Sequence, residues 1–277
     1  MNRILNLLTA LLTTGADHQS FIGAKWLVLL LKIAPHPLKR PLALRILALS
    51  PHYFYRHITP QFKTMPVNDW LEAEYERNRS TRAKLCDQIL LPYLKSAGRV
   101  LDIGCGPGFL AQAAAPHVGA LYACDISRGV LECARVINNA PNIHYIYSGP
   151  SGFDQIPDSS LDLIYSFAVI QHLREPVIQS LFQVTGRKLR KGGRCLFQVQ
   201  LDDDKWKPES EWAADQTVTG RLKLKYALNF FSRSPEFFRT QAAAAGLSLD
   251  AIRPLSEIMD QPFDDVYHQH LIELTKL

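Results

Sequence analysis

Apolar residues follow one pattern in the first 68 residues of the chain and another in the remainder. In the first part they recur at helical spacing in three short runs. These runs are Ile4–Leu12, Phe21–Ala34 and Leu42–Leu49. Because proline lacks an amide hydrogen and clashes with the preceding turn, Pro35, Pro37 and Pro41 predict that any helix ends between the second run and the third.

After residue 69 a long helix is followed by alternating strands and helices. Residues Trp70–Leu94 are charged at first and then apolar at helical spacing, which predicts one helix. A run rich in leucine and β-branched residues follows at Arg99–Ile103, and a glycine loop and an alanine-rich helix come after it. A second such run, Leu121–Asp125, predicts the next strand. Strands that alternate with helices are typical of an α/β fold with a parallel sheet.

The composition is that of a folded globular protein. Of the 277 residues, 47% are hydrophobic and 21% are charged, so burial of apolar surface can offset the entropy cost of ordering a core. The length suits one large domain with an elaboration, or two small domains. Five cysteines are scattered without a C-x-x-C pair and the histidines are dispersed, so neither a disulfide framework nor a metal site is expected.

Positive charge is concentrated in the first quarter of the chain. Residues 1–68 contain eight lysines and arginines and a single acid, Asp17, for a net charge of +7. The remaining 23 basic and 25 acidic residues give residues 69–277 a net charge of −2. We therefore predict a basic, apolar, helical N-terminal extension over residues 1–68 and a separate main domain over residues 69–277.

Two interpretations of the extension are open. Its helices could pack on the main domain as a cap, with the lysines in solvent. Alternatively they could lie in a membrane interface, with Trp26 and the leucines in the bilayer and the basic residues facing anionic headgroups.

Other roles of the extension are disfavoured. None of its runs reaches the roughly 18–20 apolar residues that span a bilayer, and its similarity to a secretory signal is weak. Its basic residues alternate with leucines, so nucleic-acid binding is not expected. We expect a cytoplasmic protein, with peripheral contact to a membrane surface under the second interpretation.

The most informative segment is the loop after the first strand, Gly104-Cys105-Gly106-Pro107-Gly108. Glycines remove side chains, so the backbone can approach a ligand, as it does in dinucleotide sites. Asp125 ends the second strand 17 residues after Gly108, where a carboxylate can accept hydrogen bonds from both hydroxyls of a ribose. The glycine spacing excludes a P-loop and disfavours a dinucleotide-dependent oxidoreductase. The segment predicts a site for a nucleoside-containing ligand.

Residues Val100–Ala111 resemble motif I of the class I S-adenosylmethionine-dependent methyltransferases, and the resemblance continues over about residues 70–277. The later segments that carry it are Asn142–Tyr147, Ser160–Ser166, Ala168–Leu173, Leu189–Phe197, Ser234–Leu247 and His270–Leu277. The stretch Ala168–Leu173 is typical of the family's small-molecule branch, which is of type 11. The resemblance implies a doubly wound, Rossmann-like, mostly parallel sheet with an antiparallel last strand.

The resemblance also implies which residues bind S-adenosylmethionine. Asp102 would hold the amino group of the cofactor, and the loop residues Gly104, Cys105, Gly106 and Gly108 would lie against its methionine end.

The remaining cofactor contacts follow from later segments of the same resemblance. Asp125 would bind the ribose, and Ile126 would pack on the adenine. Ser166 and Phe167 would lie beneath the sulfonium.

One position departs from the family pattern. Where relatives commonly have Asp-Ala, with the acid on the adenine amine, this chain has Gly152-Phe153, followed by Asp154. Either Asp154 takes the place of that acid, or Phe153 holds the adenine by stacking.

Two candidates for a general base follow predicted strands. Transfer of a methyl group requires a nucleophile aligned about 3–3.5 Å from the methyl carbon, and a hydroxyl nucleophile usually needs a base. His172 follows the fourth strand, whose carboxyl end points into the expected cleft, although it could equally be a packing residue. Asp203, with neighbours Asp202 and Asp204, follows the fifth strand, although such acids often form a solvated loop.

The acceptor is predicted to be a small, lipophilic molecule, with O-methylation favoured. An insertion at residues 205–233 carries aromatic residues that either line an acceptor pocket or form the insertion's own core. These are Trp206, Trp212, Tyr226, Phe230 and Phe231. Two alternatives remain open: a protein methyltransferase whose partner docks on the N-terminal segment, and a cofactor-binding scaffold without catalysis.

Overall fold

The computed structural model describes residues 25–48, 64–149, 152–201, 207–225, 229–260 and 269–277. The helices are α1 (Lys25–Ile33), α2 (His36–Ala48), α3 (Val67–Leu85), α4 (Leu91–Leu94), α5 (Phe109–Ala114), α6 (Arg128–Ile137), α7 (Glu175–Lys188), α8 (Glu209–Ala214), α9 (Val218–Lys225) and α10 (Pro235–Ala244). The strands are β1 (Arg99–Ile103), β2 (Ala120–Asp125), β3 (Ile143–Tyr147), β4 (Leu161–Ser166), β5 (Leu189–Val199), β6 (Leu247–Pro254) and β7 (His270–Lys276).

The strands form one seven-stranded sheet in the order β3-β2-β1-β4-β5-β7-β6. Strands β1 to β5 pair in parallel, and β7 runs antiparallel between β5 and β6. This confirms the predicted doubly wound, mostly parallel sheet with an antiparallel last strand. The chain moves outward from β1 to β3 and then returns to the other side of β1 with β4. Ligands of such sheets bind at the carboxyl ends of strands where the order reverses, which here is between β1 and β4.

Helices cover both faces of the sheet, so its central strands are apolar almost throughout. One buried cluster contains Leu101, Ile164 and Phe197 with residues of α7 and α10. A second contains Val100 and Leu163 with residues of α5 and the end of the long helix. Successive residues of a strand therefore point into different clusters. Core packing does not explain a buried polar residue such as Asp102 within this apolar pattern.

The predicted helix over Trp70–Leu94 is confirmed. It begins at Val67 as α3, passes through a π-helical turn at Cys86–Leu90 and ends with α4. Within the described residues, no helix combines the length and apolar content needed to cross a bilayer.

The predicted helix break at the three prolines is only partly right. The chain breaks at Pro35, but α2 begins at His36 and contains both Pro37 and Pro41. Pro37 lies in the first turn, where an amide hydrogen has no intrahelical partner in any helix. Pro41 removes one hydrogen bond, and burial of four apolar residues after it offsets that loss. The buried residues are Ala43, Leu44, Ile46 and Leu47.

The inner faces of α1 and α2 pack on the main domain. Leu31 and Leu47 belong to a buried cluster with Trp70 of α3, Phe109 of α5 and Val130 of α6. This packing supports the cap interpretation for the inner faces of these two helices. The boundary at residue 68 stays a prediction, and the run Ile4–Leu12 lies outside the described residues.

Candidate cofactor site

The glycine loop turns back toward the carboxyl end of β2. The amides of Gly104 and Cys105 both donate to the Cys124 carbonyl, at 2.8 and 2.9 Å. Gly104, Gly106 and Gly108 all have positive φ angles, of 74°, 52° and 80°. Because a side chain disfavours this left-handed conformation, glycine is required to form the loop. The loop therefore has bare backbone at three positions where most sequences would place side chains.

Gly104 also lies against the segment that follows β4. A Cβ atom at this position would overlap the side chain of Val169. The contact brings the glycine loop and the segment Ala168–His172 together, although 65 residues separate Gly104 from Val169. The glycine loop and the turn that carries the candidate base His172 are thus neighbours in the fold.

Replacing Gly104 by alanine is expected to destabilise the protein more than the same change at Gly192. Both glycines have φ angles above 70°, so each substitution costs about 1–2 kcal/mol for the left-handed backbone. Only Gly104 adds a clash, worth about another 1–3 kcal/mol, since a Cβ at Gly192 has nothing within 4 Å. Urea unfolding of both variants measures the difference. If both variants lost the same free energy of unfolding, the side chain of Val169 would be able to move away from the new Cβ without cost.

Asp102 is a buried carboxylate at the end of β1. It is 2% exposed, and its Oδ2 atom has no hydrogen-bond partner among the described residues. Burial raises the pKa of Asp102 to about 8, and the nearby Tyr165 hydroxyl and Arg82 guanidinium counteract this rise in part. A buried, unpartnered carboxylate is costly unless a cation pairs with it. The arrangement fits a ligand that carries an ammonium group.

Tyr165 is a residue that sequence reasoning missed. The parallel register pairs it with Asp102 across β1 and β4. Its side chain is fully buried, and its hydroxyl lies beside the carboxylate without the geometry of a hydrogen bond. Alignment of the predicted strand ends is the signal that could have placed the two residues together.

Asp125 ends β2 and anchors the glycine loop. Its Oδ2 accepts a hydrogen bond from the Gly106 amide at 3.1 Å, and its Oδ1 accepts one from the Ser127 amide at 2.7 Å. Burial raises the pKa of Asp125 to about 6, against the lowering effect of these hydrogen bonds. A carboxylate oxygen can accept more than one hydrogen bond, so each retains capacity for a ligand hydroxyl.

The predicted adenine side combines exposed and half-buried groups. Ile126 follows Asp125 and is 39% exposed, which is unusual for so apolar a residue next to a buried strand. Arg128, another residue that sequence reasoning missed, stacks on the ring of Tyr147 at 3.7 Å. Ile126 and the stacked pair of Arg128 and Tyr147 all lie near the carboxyl ends of β2 and β3.

The segment that departs from the family pattern forms a 3₁₀ turn at Gly152–Gln155. Gly152 packs so closely on the Tyr147 carbonyl that a Cβ would overlap it. Phe153 is half-buried against the core, whereas Asp154 is exposed. Both alternatives for this position, stacking by Phe153 and substitution by Asp154, remain open.

Two other predicted contacts are more enclosed than expected. Ser166 is fully buried, and its hydroxyl donates to the Ile103 carbonyl at 2.8 Å, which ties β4 to β1. Phe167 is buried directly after it. Cys105 is buried as well, and burial raises the pKa of its thiol well above the usual range, in accord with a packing role. The Ser166 hydroxyl therefore has no hydrogen left to donate to a ligand.

His172 lies in the 3₁₀ turn Ile170–His172 after β4. Its Nδ1 atom is 2.8 Å from the Asn229 carbonyl, and its ring meets the edge of Phe230 with centroids 4.7 Å apart. A carbonyl can only accept, so Nδ1 carries the hydrogen and Nε2 of the neutral ring does not. The other candidate base, Asp203, lies outside the described residues, as do Asp202 and Asp204.

Buried amides gather at the carboxyl ends of β4 and β5, and sequence reasoning missed them. Gln198 accepts a hydrogen bond from the Ala168 amide at 2.7 Å and donates to Gln269. Gln171 and Asn229 are buried with side-chain atoms that have no partner among the described residues. Such unpaired groups are rare in native structures and commonly mark a place where a ligand or water binds.

The insertion at residues 205–233 packs partly on itself. Trp212 is buried and donates to the Phe230 carbonyl at 2.9 Å, and Phe231 is buried as well. These contacts support the interpretation that Trp212 and Phe231 belong to a core formed by the insertion itself. Trp206 and Tyr226 lie outside the described residues.

A doubly wound sheet with a glycine loop at the switch point and an acid at the end of β2 defines a Rossmann-like protein for a nucleoside-containing cofactor. Comparisons with known proteins specify the family. A methyltransferase domain model matches residues 100–193. The chain is 32% identical to a trans-aconitate 2-methyltransferase of Methylobacterium nodulans over 193 residues, which are 67% of this chain and 71% of the relative.

A second relative and a solved structure agree with this match. A ubiquinone biosynthesis O-methyltransferase of Vibrio cholerae is 27% identical over 103 residues, which are 36% of this chain and 41% of the relative. The structure of a geranyl diphosphate C-methyltransferase from Streptomyces coelicolor shares the fold, with a TM-score of 0.52 and 15% identity over 79% of this chain and 86% of that one.

The chain therefore belongs to the class I S-adenosylmethionine-dependent methyltransferases, as its motifs predict. S-adenosylmethionine is the cofactor of this family. The chain spans about half, or less, of the length of several curated relatives that it matches.

Proposed function

We propose that the protein binds S-adenosylmethionine through Asp102, the glycine loop and Asp125, and transfers its methyl group to a small acceptor. The observation that carries this proposal is the buried Asp102 carboxyl group beside the glycine loop, whose Oδ2 has no partner among the described residues. An ammonium group would pair with the ionised form and remove the cost of burying it. The sulfonium cofactor has such a group at its methionine end.

The nucleoside end of the cofactor is assigned to the edge beside β2 and β3. The two oxygens of Asp125 would accept the ribose hydroxyls, since each has used only one acceptor site on the backbone. Ile126 offers an exposed apolar face to the adenine. The stacked Arg128 and Tyr147 border the same edge.

His172 is proposed as the general base for a hydroxyl acceptor. The cofactor would supply an electrophilic methyl group, with a neutral thioether as its leaving group, and Nε2 of His172 would accept the proton of the acceptor hydroxyl. The Asn229 carbonyl fixes the tautomer that leaves Nε2 able to accept that proton. The contact between Gly104 and Val169 supports this role, because it places the turn that carries His172 beside the cofactor loop.

The acceptor is proposed to be a small, lipophilic molecule with a hydroxyl group. Among the described residues, Gln171 Oε1 and the side-chain Nδ2 and Oδ1 atoms of Asn229 have no partner and could bind a neutral polar group. Phe230 adds an aromatic ring beside His172. The names of three matched relatives refer to trans-aconitate, ubiquinone biosynthesis and geranyl diphosphate, which supports a small-molecule acceptor. A protein acceptor and a cofactor-binding scaffold without catalysis are the alternatives.

We also propose that the protein is cytoplasmic and meets an anionic membrane surface through its N-terminal segment. The supporting observation is the net charge of +7 on residues 1–68. Lysines and arginines close to a negatively charged leaflet favour binding to it.

Methyl-labelled S-adenosylmethionine incubated with the purified protein and a cell lysate tests the proposed activity. We expect label in the organic extract, and the same assay with His172→Gln should show a turnover number lowered at least about a hundredfold with unchanged cofactor affinity. Label in precipitated protein would favour the protein methyltransferase, and no transfer at all would favour the scaffold. An unchanged turnover number in His172→Gln would leave His172 as a packing residue.

A further inference from the structure

Helices α1 and α2 expose apolar side chains on the side away from the main domain. Leu29, Ile33 and Leu38 each leave more than half of their surface in solvent, and Leu30 leaves 43%. On α1 these residues lie opposite Leu31, which is buried in the cluster with α3 and α6. A globular protein rarely places leucines and isoleucines together at the surface unless the surface binds something.

A basic cavity of about 450 Å³ lies between the same two helices and α6. Its charged and titratable lining residues are Lys32, His36, Lys39, Arg40, Arg135 and one acid, Glu132. The walls therefore carry four permanent positive charges against one negative charge. This combination suits an anion such as a phosphate group.

The ion pairs around the cavity neutralise only part of its positive charge, so the rest is available to bind an anion. Arg40 is held by both oxygens of Glu72, at 2.6 and 2.7 Å, and Arg135 is held by Glu132 at 2.9 Å. Lys32 lies 3.7 Å from the same Glu132, a loose contact, and its side chain is 59% exposed.

Lys39 forms no ion pair with any described residue. Lys32 and Lys39 are thus the cations that an incoming anion would meet.

We propose that this α1–α2 patch, made of Leu29, Leu30, Ile33 and Leu38 with Lys32 and Lys39, docks on a membrane that contains anionic phospholipid. The apolar side chains enter the interface, and the basic cavity receives a lipid phosphate. The proposal rests on the membrane contact proposed above and assigns it to particular side chains. It is independent of the proposed methyl transfer.

Charge complementarity favours a lipid surface over another occupant. The extension carries only one acid in 68 residues, so it offers a single sign of charge to any partner. Exposed leucines next to lysines match the boundary between acyl chains and phosphates, where both kinds of group are satisfied at once. A second segment of the same basic extension would bring further positive charge to the cavity and would be repelled.

Point substitutions are the appropriate test, because deletion of the extension would also remove core contacts. Leu44 and Leu47 of α2 are buried against the main domain, so a truncated chain would expose apolar surface and aggregate for unrelated reasons. The patch residues are exposed except for the half-buried Lys39, and none belongs to the buried clusters, so their replacement should leave the core intact. Two double variants separate the contributions: Lys32→Glu with Lys39→Glu, and Leu29→Asn with Ile33→Asn.

A control variant carries the same change in charge outside the patch. Lys95→Glu with Lys191→Glu reverses two exposed lysines that lie just before β1 and near the start of β5. Neither lysine forms an ion pair with a described residue. This variant measures the effect of net charge alone.

The full chain is to be floated with vesicles of phosphatidylcholine, and with vesicles that contain three parts of phosphatidylglycerol to seven of phosphatidylcholine. We expect binding to the anionic vesicles only. Both patch variants should lower the partition coefficient at least about tenfold, and the control variant should lower it much less. Calorimetry with inorganic phosphate, without vesicles, measures whether the cavity prefers a dissolved anion.

Three outcomes would overturn the proposal. The natural sequence could fail to float, the patch variants could float as well as the natural sequence, or the control variant could lose as much binding as the patch variants. Binding of phosphate without flotation would instead assign the cavity to a soluble phosphate-bearing ligand. Flotation needs neither cofactor nor acceptor, so its failure is distinguishable from failure of methyl transfer, and cofactor titration of each variant shows that it is folded.

Discussion

Asp102→Asn is expected to weaken the binding of S-adenosylmethionine at least about tenfold while it stabilises the free protein. The carboxyl group is buried and its Oδ2 atom has no hydrogen-bond partner among the described residues. The free protein therefore bears the cost of protonating the group at neutral pH or of an unpaired buried charge at higher pH. Asparagine keeps the shape and removes the charge. The charge-assisted hydrogen bond to the ammonium group is lost as well, and such bonds contribute about 1.5–3 kcal/mol.

Thermal unfolding with and without cofactor, together with calorimetric titration, measures both effects of Asp102→Asn. Asp162→Asn on the neighbouring strand β4 is the matched control. Asp162 accepts hydrogen bonds from the Gly98 and Arg99 amides at 2.8 Å and from Arg190 at 2.6 Å, so its loss should destabilise the protein without changing cofactor affinity. If both variants lost stability equally, Asp102 would be a structural carboxylate rather than a ligand.

The pH dependence of stability gives a second view of the same residue. The pKa of Asp102 in the folded protein is about 8, above its ordinary value near 4, so between these pH values the folded state binds more protons than the unfolded state. The free energy of unfolding should therefore fall as the pH rises through this window, by up to about 1.4 kcal/mol per pH unit.

Asp125, whose pKa is about 6, adds a smaller part of this fall below pH 6. Asp102→Asn should flatten the curve between pH 6 and 8. A curve that rises with pH in both proteins would contradict the assignment of a raised pKa to Asp102.

Asp125→Ala is expected to weaken the binding of S-adenosylmethionine by at least tenfold. The substitution removes the proposed ribose ligand, and it also frees the amides of Gly106 and Ser127, which now hold the loop. Loss of these two hydrogen bonds costs about 0.5–1.5 kcal/mol each, so the loop should become less ordered before any ligand arrives.

A ligand with one ribose hydroxyl removed separates the two roles of Asp125. The natural sequence should bind the 2′-deoxyadenosyl analogue of the cofactor more weakly than S-adenosylmethionine, because one hydrogen bond to the carboxylate is lost. In Asp125→Ala the two ligands should bind almost equally. Calorimetry of both ligands with both proteins gives the coupling between residue and hydroxyl, and unchanged affinity for the cofactor in Asp125→Ala would remove the ribose assignment.

Local signals in the sequence were sufficient for the fold and for the glycine loop at the candidate site. One short stretch contains the strand at Arg99–Ile103, the glycines after it and the acid at Asp125. The backbone preferences of neighbouring residues are enough to determine the strand and the loop there. The helix at Trp70–Leu94 follows from spacing alone and is present, with a π-helical turn near its end. The proline signal was less reliable, because packing of α2 against the main domain outweighs the hydrogen bond lost at Pro41.

Features that depend on residues far apart in the chain were decided by the tertiary structure. The register of β1 and β4 places Tyr165 beside Asp102, and the packing of the insertion places the Asn229 carbonyl on His172, 57 residues away. The pairing of β4 with β1 uses the Ser166 hydroxyl in a hydrogen bond to the Ile103 carbonyl, although its position in the motif predicts a ligand contact. The sequence by itself thus determined the family, the sheet and the loop, since these rest on neighbouring residues. Which side chains remain unpaired was settled only when distant segments came into contact.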